Sequence, residues 1–242
     1  MQGADGSRRY RHFVKRLLEG RDADEAMHNA IGGEFDAIGA MERDLLVWQG
    51  LPRDGCVIDV GCGSGRLAAP LSTYLTGRYI GTDVVAELLD YARKLVRRPD
   101  WRFELVESVL IPAENSTADI VCFFSVFTHL RHEESFRYLE EAKRVLKPNG
   151  RIIFSFLEFR IACHWDVFEN DLADMGSNRL IDQFMSRDGI DAWASHLGLQ
   201  VVGMYDGDIP FIPLSSPVTL SEGQHFEEKG ALGQSVAVLA SL

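Results

Sequence analysis

The sequence predicts an α/β protein built on a mostly parallel, doubly wound sheet, and three observations carry that prediction. Short β-rich runs alternate with helical patterns between Val57 and Leu157. One run, Val57-Ile58-Asp59-Val60, leads into a glycine-rich stretch and then a helical pattern, as in a β-loop-α unit. Another, Ile120 to Phe124, is apolar throughout, as a central strand covered on both faces requires.

The elements follow in order. Arg8 to Leu18 reads as a basic amphipathic helix with Tyr10, Phe13, Val14, Leu17 and Leu18 as its apolar stripe. Such a helix either packs over the mouth of a site or lies on a membrane surface or polyanion; the first is the simpler reading. Val57 to Val60 is the first strand, and Arg66 to Leu75 the helix after its loop. Arg78 to Thr82 is the second strand, and Val85 to Val96 a helix with Leu88, Leu89, Ala92, Leu95 and Val96 on one side. Arg102 to Val106 is the third strand and Ile120 to Phe124 the fourth.

His132 to Leu146 is an amphipathic helix, with Phe136, Leu139, Ala142, Val145 and Leu146 inward and Glu133 and Glu134 favouring its N-terminal dipole. Lys147-Pro148-Asn149-Gly150 stops it and turns the chain into the strand Arg151 to Phe156. This β-α-β succession implies right-handed crossovers. Beyond it, Glu158 to Phe184 gives few clean signals. Ser186 to His196 reads as a helix closed by Gly198, Leu199 to Tyr205 as a strand, Ile209 to Gly233 as a Pro-rich loop and Gln234 to Ala240 as the last strand. No repeat or linker divides the chain. A single domain over 1–242 is expected, with a helical cap (1–50), a sheet core (51–157) and a variable part (158–242).

Composition narrows the class. The chain has 242 residues, 46% hydrophobic and 25% charged, the proportions of a soluble globular protein. No apolar run approaches the roughly 18 residues of a membrane span, and no signal-peptide core follows the polar N-terminus, so a cytoplasmic protein is expected. Cys56, Cys62, Cys122 and Cys163 form no C-x-x-C pair and read as reduced, structural thiols. The net charge of −11 argues against a nucleic-acid polymer as the main partner, because phosphate binding scales with basic contacts.

The chemistry-bearing signal is Asp59-Val60-Gly61-Cys62-Gly63-Ser64-Gly65. Glycines are needed where a backbone turns tightly against a ligand, and loop amides at a helix start can donate to a carboxylate or phosphate. The dinucleotide fingerprint is G-x-G-x-x-G; here the spacing is G-x-G-x-G, with Arg66 where the third dinucleotide glycine would stand. Asp59, two residues before the first glycine, suits an ammonium and would repel a pyrophosphate. Asp83, at the end of the second strand, can accept from vicinal ribose hydroxyls. Glu107, after the third strand, can accept from an exocyclic adenine amine.

With these motifs in hand, the segment from about Ile31 to Phe156 resembles the class I S-adenosylmethionine-dependent methyltransferases, particularly the small-molecule type with a G-C-G-S-G loop. The resemblance implies a Rossmann-like, doubly wound seven-stranded sheet, mostly parallel, with Gln234 to Ala240 as its antiparallel last strand. It implies S-adenosyl-L-methionine as methyl donor, S-adenosyl-L-homocysteine as product and no metal. By resemblance, Asp59, Gly61, Gly63 and Gly65 contact the methionine part and Asp83 holds the ribose. Glu107, Ser108 and Val109 frame the adenine, while Cys62, Val84, Phe124 and Ser125 complete the cofactor side. The family more often has Asp in a G-D-A context where this chain has Val106-Glu107-Ser108. Ile31-Gly32-Gly33-Glu34-Phe35 is similar to a segment that some members place against the cofactor.

The acceptor is narrowed by missing marks. Ser125-Val126-Phe127-Thr128-His129 replaces the Asn/Asp-Pro-Pro-aromatic loop used on exocyclic and glutamine amides; a Pro-Cys nucleophile and a paired-glutamate loop are also missing. A small molecule with an oxygen or nitrogen acceptor remains, a sugar or lipid-linked sugar included. His129 is the first candidate general base and His164 the second, since an unperturbed imidazole titrates near about pH 6.5. His164, Asp166, Glu169 and Asp171 do not share one helical face, and a solvated surface is the better reading than a metal site. Two rivals stay open: a non-catalytic cofactor-binding subunit acting through a partner, and a methyltransferase acting on RNA. The oligomeric state is not legible.

Overall fold

The computed structural model describes residues 4–19, 23–32, 34–175 and 180–241. Three helices open the chain, α1 (Ala4–Leu18), α2 (Ala23–Asn29) and α3 (Phe35–Trp48). Alternation then follows: β1 (Cys56–Val60), α4 (Ala68–Leu71), β2 (Arg78–Asp83), α5 (Ala86–Val96), β3 (Arg102–Leu105), β4 (Ala118–Phe123), α6 (His132–Val145) and β5 (Leu146–Phe156). The remainder contains α7 (Ala162–Ala173), α8 (Arg187–Leu197), β6 (Leu199–Tyr205), the two-residue strands β7 (Ile212–Pro213), β8 (Val218–Thr219), β9 (His225–Phe226) and β10 (Lys229–Gly230), and β11 (Ser235–Ser241).

Seven strands form one sheet in the order β3-β2-β1-β4-β5-β11-β6. β1 pairs in parallel with β2 and β4, while β11 runs antiparallel to both β5 and β6. The expected seven-stranded, mostly parallel sheet with an antiparallel last strand is the one observed. Successive side chains alternate between faces, so each strand feeds two cores. Val57, Tyr79 and Ile120 pack with Met41, Leu45, Leu71 and Leu89 on one side, beneath α3, α4 and α5. Ile58, Val121 and Phe154 pack with Leu139, Val145, Ile190 and Ala194 on the other, beneath α6 and α8.

The structure departs from the sequence reading in four places. The helix after the glycine loop spans only Ala68–Leu71, not Arg66 to Leu75. The Ser72 and Thr73 hydroxyls donate to the Ala69 and Pro70 carbonyls at 2.6 and 3.0 Å, competing with helical pairing there. The turn at Lys147-Pro148-Asn149-Gly150 lies inside β5, with Asn149 at φ 66 and a register shift against β4. The unassigned 158–184 region carries α7, whose large residues Trp165 and Leu172 are exposed, so no inward stripe announces it. The Pro-rich loop holds two small ribbons, β7 with β10 and β8 with β9, which bury Ile212, Val218 and Phe226.

The apolar stripe of α1 is turned inward. Tyr10, Phe13, Val14, Leu17 and Leu18 pack with Met27, Ala30, Val85 and Leu88, so the face a membrane would take is occupied by the protein itself. Among the described residues no helix is long and apolar enough to cross a membrane. Cys56, Cys62 and Cys122 are buried free thiols and Cys163 is an exposed one.

Leu139 is fully buried on α6, against the sheet. Leu139→Ala should cost about 2–5 kcal/mol in a urea titration. A cost near zero would mean that α6 does not seal this face.

Candidate active site

The chain leaves β1 towards β2 and later returns to the other side of β1 as β4. Crossovers diverge between these two strands, which opens a crevice at their carboxyl ends. A cavity of about 510 Å³ lies there. Its walls take Asp59, Gly61 and Cys62 from the end of β1, Asp83 and Val84 from β2, and Phe124, Ser125 and Val126 after β4. Tyr10 and Phe13 of α1 and Ile31 and Gly32 after α2 close it from above; Gly33 lies outside the described residues.

The glycine loop is shaped by steric necessity. Gly61 and Gly65 have φ 74 and 94, in the left-handed region. A Cβ on Gly61 would collide with the Val126 side chain, and one on Gly65 would lie 3.1 Å from the Ala92 Cβ. The sequence reading turns the loop amides towards a ligand, whereas the structure uses four of them internally. The N–H groups of Gly61 and Cys62 donate to the Thr82 carbonyl at 2.8 and 2.9 Å, and that of Gly65 to the Cys62 carbonyl at 3.1 Å. The Gly63 N–H donates to Asp83 Oδ2 at 3.0 Å. Gly63 and Gly65 therefore stand behind the wall, and the loop contributes shape.

Two buried acids face the cavity from the strand ends. Asp59 Oδ2 accepts from the Tyr79 hydroxyl at 2.6 Å, and Oδ1 lies 3.7 Å from the Cys122 thiol. Burial pushes its pKa up to about 7, against the pull of the Tyr79 hydrogen bond. Asp83 Oδ1 accepts from the Val85 N–H at 2.9 Å. Burial raises this carboxyl to about 6, opposed by its backbone donors.

Several polar wall residues escape the sequence reading, Glu42, Arg66 and Gln234 among them. Glu42 of α3, only 2% exposed, pairs with Arg66: Nη2 to Oε1 is 2.6 Å and Nε to Oε2 is 3.3 Å. Arg66 Nη1 also donates to the Ile31 carbonyl at 2.9 Å. The only sign in sequence is an acid placed among Met41, Leu45 and Leu46, which are core residues. Gln234, just before β11, accepts at Oε1 from the Ser155 hydroxyl at 2.6 Å and from the Ser125 hydroxyl at 3.4 Å. Ser125 itself sits at φ 56, with its N–H donating to Ser155 Oγ at 2.8 Å.

The remaining candidates divide. His129 ends a 3₁₀ turn (Phe127–His129) and lines the cavity. Its Nδ1 lies 2.8 Å from the Ile181 carbonyl and 3.7 Å from Asp182 Oδ1. A proton on Nδ1 makes that contact a hydrogen bond and leaves the lone pair on Nε2. His164 is placed otherwise. It is buried off the cavity, its Nδ1 accepting from the Glu158 N–H at 3.0 Å and its Nε2–H donating to the Gly233 carbonyl at 2.9 Å. Both ring nitrogens are committed to backbone, which removes it as a base. It is also turned away from Asp166 and Glu169, which are exposed. Glu107 and Ser108 are exposed and Val109 half-buried; none of them lines the cavity, and Val106 does so instead.

The seven-strand order and the crevice define a class I methyltransferase-type α/β fold. Residues 58–154 match the protein-family model described as "Methyltransferase domain". The chain is similar to a malonyl-[acyl-carrier protein] O-methyltransferase of Hahella chejuensis, at 29% identity over 71% of this chain and 62% of that protein. It is also similar to a ubiquinone biosynthesis O-methyltransferase of Roseobacter denitrificans, at 30% identity over 52% of this chain and 48% of that one. The matches thus span about half to three-fifths of these relatives' lengths. Among solved structures, a SAM-dependent methyltransferase of Anabaena variabilis shares the fold, with a TM-score of 0.62 and 15% identity over 98% of this chain and 95% of that one. The stretch 58–154 is thus similar to a methyltransferase domain, and the whole chain shares the fold of such enzymes.

The two acids give stability a definite pH dependence. An unfolded Asp titrates near about 3.9, so Asp59 and Asp83 hold protons more tightly when folded. Their stabilising contribution is complete below that value and is lost as pH rises through about 6 for Asp83 and about 7 for Asp59. In ligand-free protein, the Tm of Asp59→Asn relative to wild type should therefore climb across this interval and then level off. A difference that stays constant throughout would show that Asp59 ionises as freely as in water.

Proposed function

We propose that this chain transfers the methyl group of S-adenosylmethionine to an oxygen or nitrogen of a small molecule by in-line displacement. The observation that carries the reading is the crevice between β1 and β4, walled by carboxylates from consecutive strand ends, inside a methyltransferase domain. The residues present suit the donor. A cavity of about 510 Å³ falls within the range of small-ligand sites. A Cβ on Gly61 would fill the space beside Val126, and the buried acids favour a cationic ligand.

Asp59 and the Gly61 turn would border the methionine part, and Asp83 would accept from the ribose hydroxyls with the lone pairs left by its two backbone donors. When bound, S-adenosylmethionine supplies a methyl group on a good sulfonium leaving group, so the protein's task is alignment. His129 Nε2 faces that task as a proton acceptor for a hydroxyl, with its ring held by the Ile181 carbonyl. Both relatives described above are named O-methyltransferases, which favours oxygen as the acceptor atom. The net charge of −11 favours a small acceptor, such as a sugar or lipid-linked sugar, over a nucleic acid.

Asp83→Ala should weaken S-adenosylmethionine binding by about 1.5–3 kcal/mol in calorimetric titration. Unchanged affinity in a folded variant removes Asp83 from the site. For an oxygen acceptor, His129→Ala should lower turnover about 10²–10⁴-fold, measured as S-adenosylhomocysteine release, with donor affinity little changed. Near-normal turnover would leave His129 as scaffold.

A further inference from the structure

We infer that the Glu42–Arg66 pair reads the amino-acid end of the methyl donor, Glu42 taking the α-ammonium and Arg66 the α-carboxylate. This rests on the methyl-donor reading given above. It assigns that end of the ligand to α3 and to the residue after the glycine loop, away from the loop amides.

Asp59 is held by Tyr79 and Cys122, and Asp83 by the Gly63 and Val85 amides. Glu42 keeps its Oε2 almost free, since its one partner there is the Arg66 Nε at 3.3 Å. Arg66 uses three N–H groups, two on Glu42 and one on Ile31. A guanidinium carries five, so two remain. The pair therefore presents a spare acceptor and spare donors side by side in a cavity wall. A zwitterion needs that combination, and planar carboxylate recognition is what an arginine fork does best.

Charge points the same way. The cavity is lined by the acids Glu42, Asp59, Asp83 and Glu134 against the cations Arg66 and Arg131, and of these the first three acids are buried. A buried excess of negative charge is costly until a cation meets it. The donor's ammonium and sulfonium outweigh its one carboxylate, so its net charge has the sign the wall lacks.

The test is calorimetric titration of the full chain with two ligands. S-adenosylhomocysteine carries the amino-acid end; 5′-methylthioadenosine keeps adenine, ribose and thioether without it. Glu42→Gln should weaken S-adenosylhomocysteine about tenfold or more while moving 5′-methylthioadenosine less than about twofold. The double variant Glu42→Gln/Arg66→Met removes both buried charges together, leaves neither unpaired, and should show the same selective loss. It decides the matter if the single variant does not fold. Unchanged S-adenosylhomocysteine affinity, or equal loss for both ligands, makes the pair a structural tie and overturns the inference. Wild-type protein that binds neither ligand would instead overturn the methyl-donor reading on which it stands.

Discussion

The carbonyl of Thr82 is the point on which the site depends. It accepts two successive N–H groups, those of Gly61 and Cys62, and so ties the chain leaving β1 to the end of β2. Only a backbone at positive φ can present both amides to one oxygen while Val126 presses on the same spot, which is why Gly61 has no side chain to spare. The next residue of β2, Asp83, receives the Gly63 N–H, so the same strand end fixes the loop twice. Gly65 then lets the loop lie against Ala92 of α5. Strand, loop and helix become one rigid corner at the place where the sheet's crossovers part.

The N-terminal helices are attached to this corner by individual bonds, beyond general apolar contact. Ser64 donates to the Met27 carbonyl at 2.8 Å, and Arg66 to the Ile31 carbonyl at 2.9 Å. The α1 stripe meanwhile covers Val85 and Leu88 at the start of α5. A displacement of the loop is therefore felt by the roof of the cavity, and the reverse holds as well. The buried charges raise the stakes, because burial destabilises ionised Asp59, Asp83 and Glu42 alike and, of the three, Glu42 is the one hydrogen-bonded to a guanidinium.

This arrangement explains which parts were readable in the sequence. Val57 to Val60 and Ile120 to Phe123 lie in central strands buried on both faces, and such strands write themselves as largely apolar runs. The glycine positions were readable because a Cβ is forbidden there, whereas the internal use of the loop amides depends on β2, a partner that no local pattern names. α7 stayed hidden because its Trp165 and Phe168 gather around Phe159, which lies outside the helix and itself stacks on Phe184. Glu42 stayed hidden because an acid inside a core stripe looks like an interruption until Arg66 is seen beside it. His164 looked available because chain position alone cannot reveal that two backbone groups already hold its ring.

The side of the cavity opposite the acids is assembled from segments far apart in the chain. His129 follows β4, Ile181 lies between α7 and α8, and Gln234 precedes β11. β11 can bring Gln234 there because it inserts antiparallel between β5 and β6, setting its beginning beside the carboxyl end of β5. Ser155, on β5, then links the two sides: its hydroxyl accepts from the Ser125 N–H and donates to Gln234 Oε1. With its oxygen occupied, the Gln234 carboxamide has only N–H groups left to offer, while a His129 ring protonated at Nδ1 has only a lone pair. In the reaction proposed above, the two residues would offer a donor and an acceptor, the complement a hydroxyl group needs to be oriented and relieved of its proton at once.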